Sequence, residues 1–173
     1  MLATPVTKLP DLAVPFRDFV SPETFERLVG RIVADEGIER PLAEEIMESA
    51  LCFLVICANN PDGAFSPSPL VDIGWHAFIL YTREYEKFCN GVAGRFIHHE
   101  PNDKPDAPQA PGGIQRTLDM MASYGITYNE LLWTGRLTSK KAEIVLGGIP
   151  THGSCDDGQG PAKSCNTTNC TCS

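Results

Sequence analysis

Apolar residues recur at helical spacing along most of the chain, and this pattern predicts a domain built only from α-helices. A first helix is predicted from Ser21 to about Gly37, because serine followed by proline favours a helix start and glycine favours a helix end. A second helix is predicted from Pro41 to about Asn59. Its second half, LCFLVICA, is apolar on all sides, which is typical of a buried helix.

The stretch from Ser66 to His99 predicts the best-defined helix. It opens with SPSP, a serine N-cap followed by proline, and apolar residues then recur at helical spacing as far as Phe88. Shorter helices are predicted from Ile114 to Tyr124 and after Thr127, where the sequence TYNE fits a capping box.

The predicted fold class is therefore all-α. We expect a single small domain of four to five helices in residues 20–136, preceded by an N-terminal arm in residues 1–19. Residues 137–173 are small and polar and contain four cysteines, so we expect a flexible, disordered Cys-rich tail there.

Three of the four histidines lie in the central stretch, and one of them has a carboxylate partner. Asp72 and His76 are four residues apart, which places them on one helix face, where the carboxylate can orient the imidazole as a metal ligand or general base. His98 and His99 follow the helix, and one of them can reach His76 if the chain folds back. The sequence thus predicts a metal site drawn from Asp72, His76, His98 and His99. The alternative is a structural pair, with Asp72 favoured by the helix dipole.

The tail cysteines Cys155, Cys165, Cys170 and Cys172 form a second candidate site. Their spacing differs from the paired C-x2-C pattern of structural zinc sites, but two thiolates separated by one residue can chelate a soft ion such as Zn or Cu(I). In a reducing cytosol we expect no cysteine of this chain to be disulfide-bonded. A tail without a role beyond solubility remains an alternative.

A third interpretation of the tail starts from Gly147-Gly148. This pair precedes a segment rich in Ser, Thr and Cys, as in precursors of ribosomally synthesised, post-translationally modified peptides. The helical domain would then be the leader, residues 149–173 the core, and a modifying enzyme the partner.

The order VDxxWHxFIL, YxxFC and GRFIHH, between Val71 and His99, resembles the bacterial branch of the glycine-rich domain-containing protein-like family. The likeness covers roughly the middle two-thirds of the chain. It implies an all-helical domain, often followed by a Gly/Cys-rich tail, and implies no particular activity. Plant relatives tend to have a histidine two residues after the WH pair, where this chain has Phe78, so the resemblance implies no His-x-His site.

Charge and hydropathy argue against two classes of partner, nucleic acids and membranes. The 173 residues carry a net charge of −8, and without a basic patch such a chain repels phosphate backbones, so we expect no nucleic-acid partner. The longest apolar run, Ala50 to Ala58, is too short to span a bilayer, and no signal peptide is recognised, so we expect no membrane partner and a cytoplasmic location.

The function predicted from the sequence is a non-enzymatic binding or interaction module. It is metal-linked, with Zn or Cu as the candidate ions, through the Asp/His cluster and the tail thiols, and it has a protein partner or a modifying enzyme. The alternatives are the modified-peptide precursor and a metal-dependent enzyme that uses Asp72 and His76.

Overall fold

The computed structural model describes residues 15–100, residues 112–134 and the backbone of residues 171–172. The prediction of an all-α fold is confirmed. The described helices are α1 Pro22–Glu36, α2 Arg40–Asn59, α3 Pro69–Ile79, α4 Thr82–Ala93, α5 Gly113–Ser123 and α6 Glu130–Thr134, with a 3-10 helix at Phe16–Phe19 before α1. Two short strands, β1 His99–Glu100 and β2 Thr171–Cys172, pair in antiparallel orientation.

Helix α2 lies at the centre of the core. Every residue from Ala50 to Cys57 is buried, as the apolar run in its second half predicts. Helices α1, α3, α4 and α5 pack around α2, and the 3-10 helix covers part of it. Each large apolar side chain buried there stabilises the fold by about 1.5–3 kcal/mol, so the other helices are held mainly by their contacts with α2.

The serine-proline starts are confirmed as N-caps. The hydroxyl of Ser21 accepts a hydrogen bond from the Thr24 amide at 3.2 Å, and Ser68 accepts one from the Val71 amide at 3.2 Å. Ser68 also donates to the carbonyl of Leu132, which ties the start of α3 to α6. Helix α6 begins later than the capping box predicts, because the side chain of Asn129 accepts the hydrogen bond from the Leu131 amide.

The helix predicted as continuous through the central stretch is two helices. Helix α3 ends at Ile79 and α4 begins at Thr82, with Tyr81 between them at φ −94° and ψ 63°, outside the helical region. The turn brings the Phe78 ring to 5.2 Å from Tyr85 and 5.3 Å from Phe88, measured between centroids. Residues seven and ten positions apart on one straight helix lie about 10 Å or more apart along its axis, so the break allows these rings to pack together.

Helices α2 and α3 approach each other closely at Gly74. A Cβ atom on Gly74 would lie 2.7 Å from the Cβ of Ala50 and 3.0 Å from the carbonyl oxygen of Ile46. These distances are shorter than a normal van der Waals contact, so only glycine allows this spacing of the two backbones. The close approach fixes α3 and its polar face relative to the core.

Among the described residues, no helix has the length and apolar content needed to cross a bilayer. Most of the predicted N-terminal arm and most of the predicted tail lie outside the described residues. The domain boundaries at residues 20 and 136 stay predictions.

Candidate metal centre

Helix α3 supplies two side chains of a polar cluster, as their spacing predicts. Asp72 lies in the first turn and His76 in the last, and the His76 Nδ1 is 3.5 Å from the Asp72 Oδ2. The Asp72 side chain is 17% exposed and the His76 side chain is 58% exposed. The Asp72 side chain is therefore mostly buried, while the His76 side chain is exposed to solvent.

The chain after α4 supplies the third member. His99 in β1 places its Nε2 3.2 Å from the Asp72 Oδ1, and its side chain is only 10% exposed. The rings of His76 and His99 lie 4.5 Å apart between centroids. Each carboxylate oxygen of Asp72 thus faces a different imidazole, and residues 27 positions apart in sequence meet in one cluster.

A buried chain of hydrogen bonds holds the segment that carries His99. The indole nitrogen of Trp75 donates to the hydroxyl of Tyr85 at 2.9 Å, and this hydroxyl donates to the carbonyl of Ile97 at 2.7 Å. Trp75, Tyr85 and Ile97 are all fully buried. Burial raises the pKa of Tyr85 far above its ordinary value, so the phenol keeps the proton that it donates.

Aromatic packing fixes the ring of His99 as well. Its centroid lies 4.4 Å from that of Trp75, with the two ring planes at 63°, an edge-to-face arrangement. Trp75 and His76, which are neighbours on α3, therefore both contact the His99 ring. Sequence reasoning assigned Tyr85 only to the apolar face and missed its hydroxyl as an anchor, because nothing local in the sequence shows a partner twelve residues away.

The three side chains have the composition of a metal centre. One ligand atom from each of Asp72, His76 and His99 can be chosen so that all three lie within 4.8 Å of one another. A zinc ion about 2.0–2.1 Å from each atom would hold a tetrahedral pair about 3.4 Å apart. The widest pair, at no more than 4.8 Å, must therefore close by up to about 1.4 Å. The exposed side chain of His76 has the space to make that movement.

The other predicted ligands of the domain lie elsewhere. His98 is exposed and outside the cluster, and its ring lies 5.0 Å from that of Phe96. Of the two candidates, His99 is the one that reaches His76. Cys89, which is not among the predicted ligands, is a free, fully buried thiol whose pKa is raised chiefly by burial, so it packs as a small apolar residue.

The tail ligands are described only in part. Cys155, Cys165 and Cys170 lie outside the described residues, and Cys172 is described by its backbone alone, opposite His99 in the β1–β2 pair. The prediction of a soft-metal site in the tail therefore stays a prediction, as does the modified-peptide core in residues 149–173.

The expectation that every cysteine stays reduced is wrong for Cys57. This residue, in the last turn of α2, is disulfide-bonded, whereas Cys52 and Cys89 are free. The expectation came from an assumed compartment and not from geometry, which is why it failed at one particular position.

A shallow groove of about 250 Å³ lies beside the exposed imidazole. Its walls are apolar side chains of α1 and α3, and two carboxylates of α1 stand at its edge. The groove is lined by Ile32, Asp35, Glu36, Ile73, His76, Ala77, Ile79 and Leu80. Leu80 is 62% exposed, the most exposed large apolar side chain of the described residues. The cluster of Asp72, His76 and His99 is therefore accessible from solvent at His76.

Comparison with known proteins gives one match. A family model described as UCP032817-like matches residues 19–125, which is more than half of the chain. No curated protein and no solved structure matches the chain. The match includes Asp72, His76 and His99.

Proposed function

We propose that this chain, which belongs to the UCP032817-like family, is a binding module for a divalent transition-metal ion. Asp72, His76 and His99 are the protein ligands. The observation that carries the proposal is the convergence of two imidazoles and one carboxylate, from two separate parts of the chain, within 4.8 Å. The resemblance to the glycine-rich domain-containing protein-like family and the cytoplasmic location remain predictions beside it.

The chemistry of the donors favours zinc. Imidazole nitrogen suits Zn²⁺ and Cu²⁺, and a single carboxylate adds the negative charge that stabilises a divalent ion. The His76 ring can keep the contact between its Nδ1 and Asp72 if its other ring nitrogen binds the ion, because the two ring nitrogens are distinct. Copper is the second candidate ion.

Three protein ligands leave coordination positions open. Structural zinc sites are closed by four protein ligands, whereas catalytic sites have three and keep one position for water or substrate. The exposed face of His76 and the groove beside it supply the space for such an additional ligand. This feature supports a second candidate function, a metal-dependent enzyme, for which the groove would be the substrate site.

The test is a metal titration of the purified, metal-free full chain. Zn²⁺ is added in competition with a chromophoric chelator of known affinity, and Co²⁺ is used as a spectroscopic substitute. We expect the wild type to bind one ion at the Asp72–His76–His99 cluster. His76→Gln and His99→Gln should each lose this binding, because each variant removes one of the three protein ligands and leaves two.

His98→Gln is the matched control, since it removes the neighbouring imidazole that lies outside the cluster. It should bind zinc as the wild type does. His76 is exposed, so loss of binding in His76→Gln with an unchanged circular dichroism spectrum separates loss of a ligand from loss of the fold. Zinc binding that is equal in the wild type and in a His76→Gln/His99→Gln double variant contradicts the proposal.

A further inference from the structure

The groove beside His76 lies where two helices end. Its lining includes Asp35 and Glu36 from the last turn of α1, and Ala77 and Leu80 from the end of α3. His76 belongs to the same lining and also to the cluster proposed to bind the metal ion. A molecule in this groove would therefore lie next to an ion bound at the cluster.

Most of the remaining lining is aliphatic. Ile32 of α1 and Ile73 of α3 contribute branched side chains, and Leu80 is 62% exposed. The volume of about 250 Å³ is smaller than the roughly 300–1,000 Å³ of pockets that hold drug-sized ligands. The groove thus fits a small molecule with a short aliphatic part.

The electrostatics of the α1 wall favour a cation. The C-terminal end of a helix carries a partial negative charge, which basic side chains normally offset. The last turn of α1 contains Asp35 and Glu36 and no basic residue. Arg31 forms an ion pair with Asp35, whereas no ion pair joins Glu36 to any other residue of the described ranges. Glu36 is therefore the carboxylate that a cationic ligand can neutralise.

The α3 wall favours the opposite charge once an ion is bound. An ion held by Asp72, His76 and His99 has three protein ligands and keeps at least one position for an outside donor. A carboxylate oxygen is a common ligand of zinc. The two walls thus select different chemical groups, an ammonium at the end of α1 and a carboxylate at the metal.

We propose that the groove binds a short aliphatic amino acid with its amine and its carboxylate at opposite ends of the chain. The ammonium pairs with Glu36, the methylene groups cover Ile32 and Ile73, and the carboxylate completes the coordination of the ion. An α-amino acid places both charged groups on one carbon, whereas the polar groups of the groove belong to different helices. The metal-bound end of the ligand rests on the proposed function, and the pairing with Glu36 does not depend on the ion.

The first experiment compares two ligands on the Co²⁺-loaded full chain at pH 7. The visible spectrum of the ion is followed during titration with 6-aminohexanoate and with hexanoate, which lacks the ammonium. Both should change the spectrum, because both carry a carboxylate. We expect 6-aminohexanoate to half-saturate at an about 5-fold lower concentration, the upper end for one ion pair at a partly exposed site. Hexylamine is protonated at this pH and offers no donor, so it should leave the spectrum unchanged.

The second experiment repeats both titrations on two variants. Glu36→Gln keeps the shape of the side chain and removes its charge, so the 5-fold preference for 6-aminohexanoate should disappear. Glu23→Gln makes the same change in net charge at an exposed position of α1 outside the groove, and the preference should remain. Circular dichroism checks the fold of both variants. A preference that is absent in the wild type, or that persists in Glu36→Gln, overturns the inference.

Two further outcomes separate this inference from the metal proposal. Co²⁺ binding that needs His76 and His99, with a spectrum that neither carboxylate changes, overturns the inference and leaves the metal centre standing. A chain that binds no Co²⁺ refutes the metal centre and the metal-bound end of the ligand. Titration of that metal-free chain with hexylamine, followed by ¹⁵N NMR, then decides the other end. Amide shifts at Ile32 and Ile73 that are lost in Glu36→Gln support the amine site, and a lack of shifts overturns it.

Discussion

Two of the surfaces that present carboxylates, one on α3 and one on α2, differ in what faces those carboxylates. On α3, Asp72 is 17% exposed and lies between two imidazole nitrogens, at 3.5 Å and 3.2 Å. On the first half of α2, Glu48 forms an ion pair with Arg17, and Glu45 accepts a hydrogen bond from the Asn129 amide at 2.6 Å. Carboxylates occur at both places, yet only one has partners that can bind a metal.

The difference lies in the chemistry of the partners. Guanidinium and amide nitrogens only donate hydrogen bonds, so Arg17 and Asn129 satisfy Glu48 and Glu45 without offering a lone pair to a metal ion. An imidazole nitrogen can give up its contact with a carboxylate and bind the ion instead. Whether a carboxylate is a candidate metal ligand thus depends on the side chains that face it. The glutamates of α2 fit a solvated helix face.

The largest effect should come from Asp72→Asn, which removes the negative charge while keeping the shape of the side chain. Loss of a residue that only orients a ligand typically costs about 10–100-fold in metal affinity, and loss of a direct ligand should cost more. Zn²⁺ affinity measured by chelator competition should therefore fall by at least about 100-fold. Glu48→Gln on the other surface should leave the affinity unchanged, and an equal loss in both variants would remove the distinction between the two surfaces.

The second effect tests how the cluster is positioned. Tyr85→Phe deletes the hydroxyl between the indole of Trp75 and the carbonyl of Ile97, and leaves both of these buried groups unsatisfied. Each unsatisfied group costs about 1–3 kcal/mol, so the free energy of unfolding in urea should fall by at least that amount. Zinc affinity should fall as well, because the segment that carries His99 is no longer anchored.

Tyr81→Phe is the control for this variant. The Tyr81 hydroxyl makes only an exposed contact, at 3.5 Å from the Arg27 carbonyl. Its loss should change the free energy of unfolding by less than about 0.5 kcal/mol, as is usual for a surface substitution. Similar losses in both tyrosine variants would show that the buried hydroxyl has no special role.

Sequence predicted the half of the site that depends on local geometry. The four-residue spacing of Asp72 and His76 fixes their shared face once α3 is helical, and the serine-proline signal marks where α3 begins. The choice between His98 and His99 depends on how the chain returns after α4. That return is set by Tyr85 and Ile97, a contact between distant residues that no local pattern encodes.

The difference between local patterns and contacts of distant residues also explains where the predicted fold was wrong. Helical spacing continues through Leu80 and Tyr81, and no proline or glycine interrupts it there, so the break between α3 and α4 had no local signal. The break follows from the packing of Phe78 against α4. The disulfide of Cys57 was missed for a related reason, because it depends on which parts of the chain meet in space.

The third prediction concerns how closely α3 lies against the core. Gly74→Ala would force a Cβ atom to within 2.7 Å of Ala50, and such overpacking typically costs about 1–3 kcal/mol of unfolding free energy. Gly91→Ala, in α4, is the matched control, because a Cβ there meets no atom within 4 Å. It should stabilise the helix by up to about 1 kcal/mol. Urea unfolding of both variants should therefore show changes of opposite sign.

The smallest effect on stability at neutral pH is expected from the ionisation of Cys52. This residue lines a cavity together with Glu45 and Glu48 of α2. Burial raises the pKa of this thiol from 9.0 to about 12. Because the folded pKa lies above the unfolded value, the unfolded chain releases this proton first. Stability is unaffected below pH 9 and falls as pH rises from 9 toward 12, by up to about 1.4 kcal/mol per pH unit.

Urea unfolding at pH 8 and pH 10 measures this change. Buried Tyr85 and Cys89 also have raised pKa values, so the wild type should lose stability for several reasons over this range. Cys52→Ala should lose less stability between the two pH values than the wild type does. An equal loss in the two proteins would mean that this thiol does not ionise on unfolding.

The hydrogen-bonded chain from Trp75 through Tyr85 to Ile97 also has a thermodynamic consequence. In an unfolded chain, Asp72 and His99 are separated by 27 residues and do not present a joint binding site, so an ion at the proposed site would bind the native state selectively. Its binding free energy then adds to the free energy of folding, by about 2.7 kcal/mol at an ion concentration 100 times Kd. The melting temperature of the wild type should therefore rise with zinc concentration, and that of His99→Gln should not.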